Sequence, residues 1–260
     1  MRADAAFSRR TTLSVKTLRQ DQPPERQLDL GGPAPLLDGE ATYLLPPRLT
    51  AEGTLRRMLE AALIRFGERG YHAVPVRDIA RGAGVRASSM YEHRASKEEL
   101  LVDLMMAGHE EHRDWLATAR RESGDDPRDQ MRAIVHAHVR FHATYPLLAR
   151  VCNRELGSLS PARLDAVLRV RNAAVDLIRD AIERGVGQGV FRVPDVYLAA
   201  AAIGAIGIRV AEWYTPESGF GVEEVADSYA LFALRLLGDG EHRSSGASDE
   251  DPVAGGRIQG

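Results

Sequence analysis

Five histidines in two short clusters are the side chains whose type and spacing could most directly do chemistry. His109 and His112 form one pair, and His136, His138 and His142 form a second group. His138 and His142 fall on one face of a helix, a spacing that can hold a metal ion. The run His109-Glu110-Glu111-His112, however, is one residue short of the His-Glu-x-x-His pattern of zinc proteases. Cys152 is the single cysteine, so no thiolate cluster completes a site. The expectation is therefore no bound metal and no cofactor, with the histidines as polar groups bordering a pocket. A metal-dependent helical enzyme would need these histidines with Glu110 or Glu111. It lacks a nucleophile motif and a phosphate loop, so no catalytic residue is assigned and no enzyme is expected.

A second group of residues could meet nucleic acid. Arg86 can bond a guanine edge and Ala87 can touch a thymine methyl. Ser88, Ser89 and Glu92 share their segment, followed by Arg94. Tyr91, His93 and Lys97 suit phosphate oxygens better than base edges. Charge adds little support. Residues 50–100 carry nine Lys/Arg against seven Asp/Glu, and the whole chain is at −3.

The elements that must position these residues are helical throughout. Leu55, Leu59, Ala62, Leu63 and Phe66 make an apolar stripe at helical spacing, closed by Gly70. Pro75 suits the first position of a short helix with Val76, Ile79 and Ala80 inward. Gly84 falls where a tight turn needs positive φ, and Val85 and Met90 supply the inner face of a second short helix. Two short helices joined by a glycine turn describe a helix-turn-helix at about 76–93. Ser96 and Glu99 form a capping box that opens the next helix.

Further helices are expected from Leu100 to about Arg121, over Met131–His138 to Tyr145, and at Pro146–Leu156. Others start at Ser160–Pro161, which ends at Gly185–Gly189, at Asp195, which ends at Tyr214, and at Val222 through Leu237. No alternating strand pattern competes, so the fold class is all-α.

The segment from Leu55 to Leu101 resembles the TetR family of bacterial repressors. The matching residues are Phe66, Gly70-Tyr71, Val76-x-x-Ile79-Ala80, Ala83-Gly84-Val85, and Tyr91, His93, Ser96, Lys97, Glu98 and Leu100. Two positions depart from the family pattern: Arg94 stands where a Phe is usual, and Pro75 where Ser or Thr often caps. Arg94 is read as an added phosphate contact whose stem still covers apolar surface.

The resemblance implies a three-helix DNA-binding head at 49–96 and a helical ligand-binding and dimerisation body at 97–237. These are flanked by a disordered basic arm and Pro-rich linker at 1–48 and a disordered tail at 238–260. It further implies a homodimer that binds double-stranded, near-palindromic operator DNA, with its dimer face at about 195–213 and 222–237. A small hydrophobic effector, acyl-CoA-like molecules included, would release it. The expected pocket lining is Trp115, His138, Phe141, Tyr145, Leu148, Cys152, Val175, Ile178 and Trp213.

An interaction module with a degenerate head is the alternative, kept open by Arg94. The most apolar run, Leu198–Ile208, is short for a membrane span. With one cysteine and no signal-peptide core, a cytoplasmic location is expected.

Overall fold

The computed structural model describes residues 45–88 and 96–238, and among these every regular element is helical. Helix α1 spans Gly53–Arg69 and buries Met58, Leu59, Ala62, Leu63 and Phe66, one stripe at three- and four-residue spacing. Gly70 ends it at φ 75, a conformation that disfavours any residue with a Cβ. Helix α2, Val76–Gly82, starts after Pro75 in extended conformation. Its Asp78 is 8% exposed and accepts from Arg69 of α1 (3.1 Å) and from Arg81.

Ser96 caps α3, Lys97–Glu122, by accepting from the Glu99 N–H at 3.2 Å. The Glu99 carboxylate of the expected box also meets Arg163 at 3.2 Å. Helix α4, Pro127–Thr144, is capped by Asp126 and ends before Pro146, which lacks the N–H needed to continue it. Helix α5 is Pro146–Arg154, followed by a 3₁₀ turn at Leu156–Ser158.

Helix α6 runs Pro161–Gly187 with Ser160 at the N-cap position. The Ser160 side chain makes no cap bond there; its backbone N–H instead donates to Glu98 Oε1 at 2.7 Å. Asp195 caps α7, Val196–Trp213, and α8 is Val222–Leu236.

Two apolar cores result. The first joins Leu59, Leu63, Phe66 and Ile79 to Leu100 and Leu104 of α3, then continues into Leu148 and Val151 of α5. Head and body are thus packed through α3. The second centres on α4, with Ile134, Val135 and Val139 against Ile178, Ile182, Ile203 and Leu234. Each such fully buried side chain contributes roughly 1.5–3 kcal/mol.

Helix α7 extends beyond the apolar run seen in the sequence. Val196–Trp213 is long and apolar enough to cross a bilayer by length and composition. Here Ala200, Ile203, Gly207 and Val210 are buried against protein. Tyr197 and Leu198 of α7, with Leu231, Phe232 and Leu236 of α8, remain exposed.

Candidate functional site

The head is built around the turn after α2. Gly84 has φ +68, as the sequence requires, and its N–H bonds to the Arg81 carbonyl at 3.1 Å. The Val85 N–H reaches back to Ala80 O at 2.9 Å, and Arg57 Nε of α1 fastens Ala83 O at 3.2 Å. The chain leaves this turn with Arg86, Ala87 and Ser88 exposed, the last two helical. These are three of the residues expected at DNA. Ser89, Tyr91, Glu92, His93 and Arg94 lie outside the described residues.

Lys97, in the first turn of α3 as expected, has further partners within the chain. Its ammonium donates to Tyr71 O and Val74 O, both at 2.9 Å, and stands 4.0 Å from the centre of the Tyr71 ring. Burial lowers its pKa. Lys97 therefore ties the α1–α2 connection to α3, a scaffold role that the sequence did not signal. Below it, Glu98 and Glu99 reach Arg163 of α6, and His72 meets Ser158 at 3.2 Å. These contacts join the head to the α5–α6 connection.

In the body, α3, α4, α5, α6 and α7 enclose a cavity of about 310 Å³. From α3 come His109 and His112, from α4 His138, Phe141 and His142, and from α5 Cys152 and Asn153. Arg171, Val175 and Ile178 of α6 and Tyr197 and Gly204 of α7 complete most of the wall.

The histidines are wired by hydrogen bonds. His138 Nε2 lies 3.0 Å from Gly204 O, so that nitrogen carries the proton and His138 Nδ1 accepts. His112 Nε2, 2.7 Å from His138 Nδ1, is then the donor. His142 Nδ1 donates to His138 O at 2.8 Å, which leaves its Nε2 with a lone pair. His109 Nε2 is buried with no partner among the described residues.

Burial pushes His109 and His138 down to about 4, with Arg171 adding to the effect on His109. Burial first, then the neighbouring imidazoles, hold His112 and His142 well below the usual histidine value. All four are neutral at pH 7. Burial also pushes the Cys152 thiol up to about 12, which keeps it protonated.

Of the expected lining, His138, Phe141, Cys152, Val175 and Ile178 are on the wall. Trp115 and Tyr145 stand behind Phe141, at ring separations of 5.9 and 5.4 Å. The Trp115 indole instead bonds Glu111 at 2.9 Å and borders a separate cleft with His136 and Arg140. Leu148 is fully buried in the first core. Trp213 sits at the far end of α7, packed on Tyr214 and Phe220. His136 points from the opposite side of α4 to Glu223 of α8 at 3.0 Å.

Arg171, Asn153 and Tyr197 went unnoticed in the sequence, because nothing in helical periodicity marks them. Gly204 and Gly207 lie on α7, within the segment expected at a dimer face. Gly207 serves an approach inside the chain: a Cβ there would fall 2.2 Å from His138 Nε2.

Comparison with known proteins adds a family pattern to this geometry. Residues 58–104 match the family described as "Bacterial regulatory proteins, tetR family", and 124–237 match "Tetracyclin repressor-like, C-terminal domain". The HTH-type transcriptional repressor KstR2 of Mycobacterium tuberculosis is 30% identical over 188 residues, covering 68% of this chain and 89% of that protein. A tetR-family regulatory protein from Rhodococcus RHA1 superposes with a TM-score of 0.69 at 29% identity, covering 74% of this chain and 100% of that one. AibR, solved with isovaleryl coenzyme A and operator DNA, shares the fold with a TM-score of 0.63 at 19% identity, covering 71% and 98%.

Proposed function

The chain belongs to the TetR family of transcriptional regulators, and we propose that it is a homodimeric repressor released from its operator by an organic effector held in the histidine-lined cavity. As a member of this family it is a DNA-binding regulator with a helix-turn-helix head and a helical body. The observation that carries the reading is the α2 turn at Gly84, which presents Arg86, Ala87 and Ser88 to solvent on a braced head. Arg86, Ala87, Ser88 and Ser89 with Tyr91, Glu92, His93 and Arg94 are the proposed groove and phosphate contacts. Lys97 contributes mainly through its hold on the turn before α2. The proposed units are 49–96 for DNA and 97–237 for effector and dimer, acting in the cytoplasm on double-stranded DNA.

Dimerisation is supported by the exposed apolar residues on the last two helices. Tyr197 is 73% exposed and Phe232 50% exposed, and Leu198, Leu231 and Leu236 add to the patch. A two-fold dimer would carry two heads to the two halves of a near-palindromic site.

The cavity's apolar walls suit an elongated hydrophobic group. Arg171 has no carboxylate partner among the described residues, so it favours an effector with an anionic or carbonyl oxygen. An acyl-coenzyme A thioester, the ligand type in AibR, meets that description, with its acyl part inside. The cavity shares α6 with the Arg163–Glu98 contact, and α5 leads straight into the 3₁₀ turn that holds the Ser158–His72 contact, so filling the cavity biases the spacing of the heads. That bias equals the effector's differential affinity for the two head spacings.

The test is selection of bound genomic fragments by the purified chain, repeated with candidate thioesters. Enrichment of one near-palindromic sequence, released by a thioester, is expected. Absence of any enriched sequence refutes the reading.

A further inference from the structure

Three imidazoles on the cavity wall are arranged as a ligand set, and we infer that His112, His138 and His142 bind one divalent transition-metal cation of the zinc class. A ring nitrogen of each lies within 4.8 Å of a ring nitrogen of the other two. This inference does not depend on the DNA-binding reading.

Two of the three rings already have the support that a metal ligand needs. A ligating histidine characteristically donates its other N–H to a carbonyl or carboxylate, which fixes its tautomer. His138 does so to Gly204 O at 3.0 Å, and His142 to His138 O at 2.8 Å. The remaining nitrogens, His138 Nδ1 and His142 Nε2, carry lone pairs and no proton.

His112 completes the set by a change of tautomer. Its Nε2–H now spans the 2.7 Å to His138 Nδ1. Moving that proton to His112 Nδ1 frees a second lone pair at the same point, and the cation takes the place of the shared proton. Zinc–nitrogen bonds are roughly 2.0–2.1 Å, so the rings must draw together. His112 is half-buried on the cavity wall, with its ring 4.9 and 5.2 Å from those of His138 and His142. His109 Nε2, buried on the same wall without a partner among the described residues, is left for a water or ligand atom beside the cation.

The charges around the cavity select the kind of cation. Its charged lining residues are Arg171 and Arg179, and Arg179 is paired with Asp176 at 3.0 Å. A wall with neutral nitrogen donors and no carboxylate is unsuited to calcium or magnesium, which require oxygen ligands. Imidazole suits zinc, copper, nickel and iron. Three protein ligands leave an open position toward the cavity, and Arg171 favours an anionic oxygen there.

Cobalt(II) titration of the tag-free full chain, stripped with a chelator, tests this. One equivalent should produce the visible bands of a low-coordinate nitrogen site, and one equivalent of zinc should abolish them. His112→Gln and His142→Gln should each weaken binding by at least about 100-fold, the upper end of what losing an outer-shell partner costs. His136→Gln should leave it unchanged. Absence of bands, or wild-type binding by both variants, overturns the proposal. Zinc should also raise the Tm of the unaltered chain, because only the folded chain assembles the site. A Tm unmoved by saturating zinc overturns the proposal even where a variant fails to fold. Fragment selection by the chelated chain reports on DNA binding separately.

Discussion

Gly207 on α7 lies directly against the His138 ring on α4, close enough that a Cβ would stand 2.2 Å from His138 Nε2. The same helix supplies the Gly204 carbonyl that fixes the ring's tautomer. Gly207→Ala should therefore cost about 1–3 kcal/mol, the usual range for overpacking a filled core. Gly204→Ala meets nothing within 4 Å and should be neutral or gain up to about 1 kcal/mol in helix propensity. Urea unfolding of both variants checks this. Equal stabilities would show that the contact is unimportant.

Lys97→Met should destabilise the chain, because it strips the Tyr71 and Val74 carbonyls of a charged donor at 2.9 Å. Hydrogen bonds of this type contribute about 1.5–3 kcal/mol. Thermal unfolding measures the loss, and operator binding should weaken with it. A variant of unchanged Tm but weakened DNA binding would instead make Lys97 a phosphate contact.

The family pattern and the structure account for this region at different depths. Gly70, Gly84 and Ser96 were legible because a positive φ and a helix cap restrict residue type locally. The order of helices was legible because apolar periodicity reports each helix's own face. Lys97 was not, since its acceptors are backbone carbonyls at Tyr71 and Val74, and carbonyls leave no mark in a sequence. The cavity was half legible for a similar reason. Periodicity places His138, Phe141 and Ile178 inward, but it cannot separate the wall from Trp115, Tyr145 and Leu148 just behind it. Gly207's partner was not legible either, because periodicity does not say which ring a small residue makes room for.

Acid should weaken the metal-free fold in a defined window. His109 titrates at about 4 in the folded chain against 6.5 when exposed, and His138 behaves alike. Below pH 6.5 the unfolded chain takes up protons that the folded chain refuses, so stability rises with pH across this range. The full contribution is present above about 6.5 and is lost as pH falls toward 4. Tm measured from pH 7.5 to 5 in chelator should decline steadily below 6.5. A flat profile would mean the imidazoles are hydrated.

Phe232→Glu and Leu231→Glu place charge on the exposed apolar surface of α8. Both should convert a dimer to monomers by sedimentation while leaving helicity intact, and both should weaken operator binding. Dimers that persist in both would move the interface elsewhere.

The central claim is that the chain reads DNA through its head, and a salt titration on its selected operator fragment tests that most directly. Log affinity should fall linearly with log salt, by about 0.9 for each phosphate contacted, and a scrambled fragment should bind far more weakly throughout. Binding that barely weakens with salt, or that is equal on both fragments, would contradict it.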